Sequence, residues 1–592
     1  MQAPPPVEPA VATTVRRLVG LGLGAASMLG FAAVGRQYYG GFWIPQGIGM
    51  THPVPEEFAF LALFSVFGAA AVVCLAVAVE GTSFLGAGVR AFRAAARRPG
   101  RTAGVVAAVL VAATTLVDRV VMQGAALTDD EHVFSFVART LRQGALVAPS
   151  PGGDLEFFRE QFVVLDERVR YGKYAVGHPA LLALGQALGQ ERLVVPVVTG
   201  LLVLPVWAIG RAAFTPAVTT LALVLLGLSP QVLLTGATRL AQPASALALG
   251  LATACLLWSP RAVRPRLCLF LAGASLGAGL LVRPMPTALF ALVAAAYVLL
   301  LSRGESAGGA IRAGLAFALP LAAALALLLL VNRAQAGAAL TSGYQRLHQT
   351  GSGVAGIAAI LAGGSFPAAV MSVASAAMRL NVWLGGWPSS LVFLGRPCRR
   401  TALLWGMLGA ALAYRVVSAK AGVSATGPVY VYEVVPLLVL LVADGMARLA
   451  RGGRRFPVAA VLVSLEVVSL AMFLPGRVAA LGRMADAQRL APAMIQEHGI
   501  RHALVFHRGI VPPWTGESWA YYPPCNGPAL DDDVLFVRWQ EGPAGADRNL
   551  EFSRRRFPDR TAWVFEWRPA SAPRLVPLAD FVDEREGRPP AR

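Results

Sequence analysis

Three consecutive acids, Asp129, Asp130 and Glu131, follow an apolar run and open the segment LTDDEHVFSFVARTLRQG. An ionised carboxylate at the outer end of a membrane span can take a proton from an acceptor hydroxyl or amine, or help to hold a divalent metal. The same residues also spell a helix start. Thr128-x-x-Glu131 has capping-box spacing, and acids suit the positive end of a helix. The two readings agree, because a capped interfacial helix running through Val133, Phe134, Phe136, Val137 and Leu141 to a stop at Gly144 is a rigid mount for Asp130.

Four basic residues, Lys173, Arg239, Arg283 and Arg346, fall on the same side of the spans as these acids. A fixed cation beside a reacting centre stabilises negative charge as it develops. Each has a plainer reading. Arg283 sits in a short turn where a snorkelling arginine would also sit, and Lys173, next to Tyr171 and Tyr174, has the surroundings of an interfacial anchor. Lysine is otherwise almost absent: only Lys173 and Lys420 occur among 52 Lys+Arg. His178-Pro179 reads as a helix start or a ligand, Glu433 is an ionisable group a few residues inside a span, where a partner is needed, and Asp531-Asp532-Asp533 reads as a solvated turn before a strand.

The elements that must position these groups are membrane helices. Of 592 residues, 56% are hydrophobic and 14% charged, against roughly 45–50% and about 25% in soluble domains. That balance excludes a soluble enzyme, a disordered chain and a nucleic-acid-binding module. The net charge of +19 comes from arginines spread between apolar runs, not from one basic face, so no nucleic-acid partner is expected. Roughly 13 spans are predicted, at 18–35, 58–79, 102–122, 193–212, 217–236, 243–258, 267–282, 286–301, 313–332, 376–395, 401–416, 428–447 and 456–474. Arginines concentrate in alternate connections, among them 90–101, 261–266, 396–400 and 448–455, which puts the N-terminus in the cytoplasm.

That topology sends three segments outward: loops 123–192 and 333–375, and a C-terminal part from about residue 476. The runs HALVF (502–506), DVLFVRW (533–539) and TAWVFEW (561–567), separated by polar and Pro/Gly-containing stretches, predict a small α/β domain there. The chain then divides into a cytoplasmic tail (1–17), a transmembrane hairpin with a basic loop (18–101), a catalytic membrane module (102–475) and an extracytoplasmic domain (476–592). The five cysteines show neither metal nor disulfide spacing.

An acidic pair just after an early span, in a long outer loop with an interfacial helix, resembles the GT-C superfamily of membrane glycosyltransferases, and within it the family-39 group of protein O-mannosyltransferases, ArnT-like aminoarabinose transferases and RgtA/B/C/D-like enzymes. The acidic motif of that group matches Asp130-Glu131. RYGKYAVGHPALLALG (170–185) is similar to its segment that re-enters the membrane, and SPQVLLTGATRLAQPASALALGLA (229–252), GLLVRPMPTALF (279–290), NVWLGGWPSSL (381–391) and TGPVYVYEVVPLLVLLVADGM (424–446) follow in the group's order. Two positions depart from it: Gln242-Pro243 stands where many members have a second loop acid, and Val429 replaces an arginine.

The resemblance implies a mostly α, polytopic GT-C bundle carrying a small α/β domain. It also implies transfer of a sugar from a polyprenyl-phosphate donor to an envelope lipid, glycan or protein, with inversion and with or without a divalent metal at Asp130 and Glu131. Asp130 becomes the expected base and Glu131 its orienting or metal-binding partner. Lys173, Arg283 and Arg239 are the expected donor-phosphate ligands, and Tyr174, His178, Tyr344, Tyr430 and Glu433 the expected substrate contacts. Two rivals stay open on sequence: a transporter or flippase of lipid-linked saccharides, and a GT-C-like envelope protein without activity.

Overall fold

The computed structural model describes residues 10–40, 55–349, 366–386, 390–418, 426–451, 457–508, 523–542, 544–568 and 571–586. The first nine residues of the expected tail, residues 350–365 of the second outer loop, Trp387 of the GWP segment and Lys420 lie outside them.

The chain is an integral membrane protein built mostly of helices. Among the described residues, nine helical stretches are long and apolar enough to cross a bilayer, from Ala62–Val79 to Val458–Glu497. A tenth is broken: Pro216–Leu228 and Pro230–Gly236 meet at 52°. The cause is local. A residue before proline is pushed out of the helical region, and Ser229 is extended, at φ −64° and ψ 116°. Helix Phe366–Trp383 starts ten residues before the expected 376–395 span, and the expected span at 401–416 is the shorter apolar helix Ala402–Val416.

Two helices form the centre. In Val435–Arg451 every side chain from Val435 to Met446 is buried, and Gln242–Trp258 is buried on nearly all faces. A helix apolar on every side belongs inside a bundle. Close packing elsewhere rests on a missing side chain: a Cβ at Gly273 would lie 2.0 Å from the Phe317 carbonyl oxygen, so only glycine lets Pro265–Val282 approach Ala307–Ala336.

Two sheets stand outside the bundle. The first outer loop holds an antiparallel one, β1 (Ala148–Pro149), β2 (Val163–Leu165) and β3 (Val169–Gly172), in the order β1-β3-β2. Residues 170–172 of the expected re-entrant segment are therefore strand, and only Gly177–Ala187 is helix. The C-terminal sheet is β4 (Ala503–Arg508), β5 (Val534–Arg538), β6 (Thr561–Glu566) and β7 (Arg574–Pro577), in the order β5-β4-β6-β7. β4 runs parallel to both neighbours and β7 antiparallel to β6. The three expected runs are strands; β7 had too weak a pattern, being four residues with Arg574 and Pro577 at its ends.

The two sheets share one core. Phe157 stacks on Phe552 at 3.8 Å and meets Phe506 edge-on, and Phe158 packs on Phe552 and Phe557. The Asp531-Asp532-Asp533 turn precedes β5 with Asp531 and Asp533 exposed, and it also makes contacts: Asp532 pairs with Arg139 at 3.1 Å, and Asp533 Oδ1 accepts from the His502 N–H at 2.8 Å.

Candidate active site

The helix Asp129–Arg142 carries the acids at its first turn, with Thr128 as N-cap. Its capping differs from the expected box. The Thr128 hydroxyl donates to Glu131 Oε1 at 3.3 Å, and the same oxygen accepts from the Leu127 N–H at 3.0 Å. Oε2 accepts from the Arg239 N–H at 3.0 Å. The carboxylate is turned toward a neighbouring segment and away from the Thr128 N–H, because Arg239 arrives there from the broken span. Burial raises the Glu131 carboxyl above its ordinary value, and Arg239 together with these donors holds it down.

Asp130, on the same turn, is half-buried and makes a different set of contacts. Burial raises its carboxyl above the ordinary 3.8, opposed by the charges of Lys173 and Arg283. Tyr344 and Tyr430 also lie within electrostatic reach of it. Its neighbour Asp129 is buried and is raised further, by burial and then by Asp130.

Lys173 follows directly on β3 and is buried in an aromatic box. Its Nζ lies 3.1 Å from the Phe162 ring centre, 4.9 Å from Tyr174 and 5.0 Å from Tyr344. Aromatic faces attract a cation and here hold it toward the acid. The Tyr344 wall comes from the short helix Gly343–His348, whose first residue touches the Lys173 backbone: a Cβ on Gly343 would lie 2.6 Å from Lys173 Cα.

Arg283 occupies the turn between Pro265–Val282 and Pro284–Leu301. It forms an ion pair with Glu433, which is 1% exposed and is also hydrogen-bonded by Ser245. Its guanidinium lies over Tyr430 at 5.4 Å, and Arg415 lies over the same ring at 5.2 Å. Arg283 and Arg379 both stand within electrostatic reach of Arg415, and Arg415 bonds the Ser372 hydroxyl. Sequence reading missed Arg379 and Arg415 as site residues. The available signal was an arginine within the helix Phe366–Trp383 and another in the last turn of the apolar helix Ala402–Ser418, since an arginine among apolar residues needs a partner.

Arg239 does not join Lys173 and Arg283 around Asp130. Its Nη2 donates to the Gly124 carbonyl at 3.0 Å, and its Nε lies 3.8 Å from Glu191. His178 is pinned to the same segment: its Nε2 lies 2.7 Å from the Arg239 carbonyl, and its ring stands edge-on to Phe134 at 4.9 Å. Burial pulls its imidazole down to about 4, so it is neutral and donates through Nε2. Tyr174 packs between Phe134, Phe162 and Tyr344.

The donor set does not suit a divalent metal. Both Glu131 oxygens are occupied by N–H and O–H donors, Gln242 replaces the second loop acid, and among the described residues no three His, Cys, Asp or Glu side chains cluster closely enough to hold an ion.

No protein-family model matches the chain, and no curated protein does. Solved structures do. The apo crystal structure of ArnT from Cupriavidus metallidurans superposes with a TM-score of 0.51 at 15% sequence identity, covering 77% of this chain and 92% of ArnT. The chain has the ArnT-like GT-C fold. Weaker matches are the arabinofuranosyltransferase AftD from Mycobacteria (TM-score 0.46, 16% identity, 83% of this chain and 37% of AftD) and the Archaeoglobus fulgidus oligosaccharyltransferase AglB (0.38, 10%, 78% and 69%). On this GT-C scaffold, the lysine after β3 and the arginine of the Arg-Pro turn come within electrostatic reach of Asp130 although up to about 150 residues separate them in sequence.

Proposed function

We propose that this protein is a membrane glycosyltransferase that moves a sugar from a polyprenyl-phosphate donor to an envelope acceptor on the extracytoplasmic face, in a cytoplasmic-type membrane with its N-terminus inside. One observation carries the reading: Asp130 lies within electrostatic reach of two cations, Lys173 and Arg283, that come from separate segments of the chain. The ArnT-like fold and the order of the family-39 segments support it. A base alone suits many reactions. A base facing fixed cations suits one in which a proton is lost on one side of the sugar while an anionic leaving group forms on the other.

The Asp130 carboxylate takes the proton of the acceptor hydroxyl or amine as its O or N bonds to the anomeric carbon. The anomeric C–O bond to the lipid phosphate breaks, its electron pair stays on the phosphate oxygen, and attack opposite the leaving group inverts the centre. Lys173 and Arg283 hold the phosphate, with Arg379 and Arg415 adding positive potential behind them. Tyr344, Tyr430 and Tyr174 line the sugar's path, and Glu433 fixes Arg283. Glu131 holds the Asp130 turn through Arg239, and His178 holds Arg239 in turn. Neither Arg239 nor His178 is assigned a substrate contact.

The test compares envelope glycolipids and glycoproteins by mass spectrometry in wild type, a deletion strain and Asp130→Asn at matched membrane abundance. Loss of the same pentose- or hexose-sized increment in both mutants is expected. Retention in Asp130→Asn removes the base assignment. Unchanged glycans with altered export of a lipid-linked precursor would make the protein a transporter.

A further inference from the structure

On the opposite side of the membrane from Asp130 the described residues line a half-open cleft of about 660 Å³. Arg261, Arg400, Arg448 and Arg451 line it, with Cys398 and Asp444. Arg261 lies just past the end of the helix that Gln242 opens, and Arg448 and Arg451 end the helix that begins two residues after Glu433. The cavity therefore stands one 17-residue helix, about 25 Å, from Gln242 and Glu433.

Its charge is unbalanced. Asp444 accepts from Arg448 Nε at 2.7 Å, and among the described residues no carboxylate pairs with Arg261, Arg400 or Arg451. Two of these guanidiniums are braced by carbonyls, Arg261 on Leu257 and Arg451 on Ala447, both at 3.1 Å. Topology-setting arginines need only reach the headgroups. These instead line one half-open concave space, too large for one bare phosphate, with their side chains exposed to an incoming ligand. Arginine's planar fork matches phosphate oxygens in pairs, and basic pockets between membrane helices take anionic headgroups.

We propose that this cavity binds a phosphate-bearing anion, either the headgroup of an anionic phospholipid or a soluble phosphate compound, through Arg261, Arg400 and Arg451. The site is separate from the transfer chemistry and does not rest on it. Cys398 supplies a reporter inside the cavity. Its Sγ lies 4.0 Å from Arg448 Nη2 and 3.4 Å from the Thr401 hydroxyl, and hydrogen bonding from Thr401 lowers its thiol below the ordinary range.

The experiment follows N-ethylmaleimide labelling of Cys398 by peptide mass spectrometry on the full chain in phosphatidylcholine nanodiscs, with the other four cysteines as controls in the same sample. The two additions are phosphatidylglycerol in the disc and inorganic pyrophosphate in solution. Occupancy should slow Cys398 labelling by about fivefold at saturation with at least one of them, and Arg261→Gln/Arg400→Gln/Arg451→Gln should abolish that ratio, read within each variant against its own unprotected rate. Protection by phosphatidylglycerol alone identifies a lipid, by pyrophosphate alone a soluble ligand, and by both the shared phosphate chemistry. If the triple variant does not fold, Arg400→Gln in the connecting segment takes its place and should weaken protection. Absence of protection by either probe, or protection undiminished in the variants, overturns the proposal.

Discussion

The main-chain N–H of Arg239 donates to Glu131 Oε2 at 3.0 Å, across 108 residues of sequence. That bond joins the segment after the broken span to the first turn of the helix bearing Asp130, and it separates the roles of two adjacent acids. Glu131 is spent on main-chain and hydroxyl donors; Asp130 is left within electrostatic reach of Lys173 and Arg283.

Asp130→Asn and Glu131→Gln should therefore fail differently. Asp130→Asn keeps the fold and its thermal midpoint while the turnover number falls by about 10²- to 10⁴-fold, the usual worth of a general base. Glu131→Gln turns an acceptor into a donor facing donors, so stability falls by about 1–3 kcal/mol along with activity. Thermal unfolding beside single-turnover assays of both variants distinguishes them.

The acid limb of the pH–activity profile follows from the two cations. Asp130 works ionised, and burial sets its carboxyl above 3.8 against the pull of Lys173 and Arg283. Activity should fall as pH drops through that raised value. Lys173→Met removes a charge that favours the ionised form, so its limb moves to higher pH. The linked stability has the opposite sign: a raised carboxyl favours the fold at low pH, and that contribution is lost as pH rises through the native value. Profiles of the two proteins with the same acceptor measure the shift, and a limb that moves to lower pH counts against the Asp130–Lys173 coupling.

Gly343→Ala tests how the lysine is positioned. The new methyl group would lie 2.6 Å from Lys173 Cα, a backbone atom that cannot swing aside. The Gly343–His348 helix must lift, Tyr344 leaves the aromatic box, and the catalytic efficiency should drop about tenfold or more with little loss of overall stability. Gly337→Ala, a positive-φ position with nothing near its Cβ, separates general backbone strain from this effect.

Arg170 is fully buried. It bonds the Gly527 carbonyl and lies 3.4 Å from Glu160, which also accepts from the Asn526 N–H at 2.7 Å. Arg170→Met leaves Glu160 charged without its partner, for an expected loss of about 3–5 kcal/mol, and Arg170→Met/Glu160→Leu should recover part of it. Limited proteolysis should show the loop carrying β1–β3 and the C-terminal sheet loosening together, as expected of segments that share the Phe157–Phe552 core.

The sequence alone determined that this is a membrane bundle with arginines biased to one side of it, because span length and hydropathy are local properties that need no partner. It also marked Asp130, Glu131, Lys173 and Arg283, since a charge beside an apolar run stands out wherever it occurs. Tertiary structure decided which charges meet. Arg239 and Arg283 look alike in sequence, each an arginine at the outer end of an apolar run. Folding gives Arg239 to Glu191 and Gly124 and gives Arg283 to Glu433 and the Tyr430 ring, because the 52° break at Ser229-Pro230 redirects one segment and not the other. Arg379 and Arg415 drew no site reading from sequence; folding brings Arg415 over Tyr430 and within electrostatic reach of Arg283 and Arg379. Ion pairing depends on distance through space, and a single sequence records only distance along the chain.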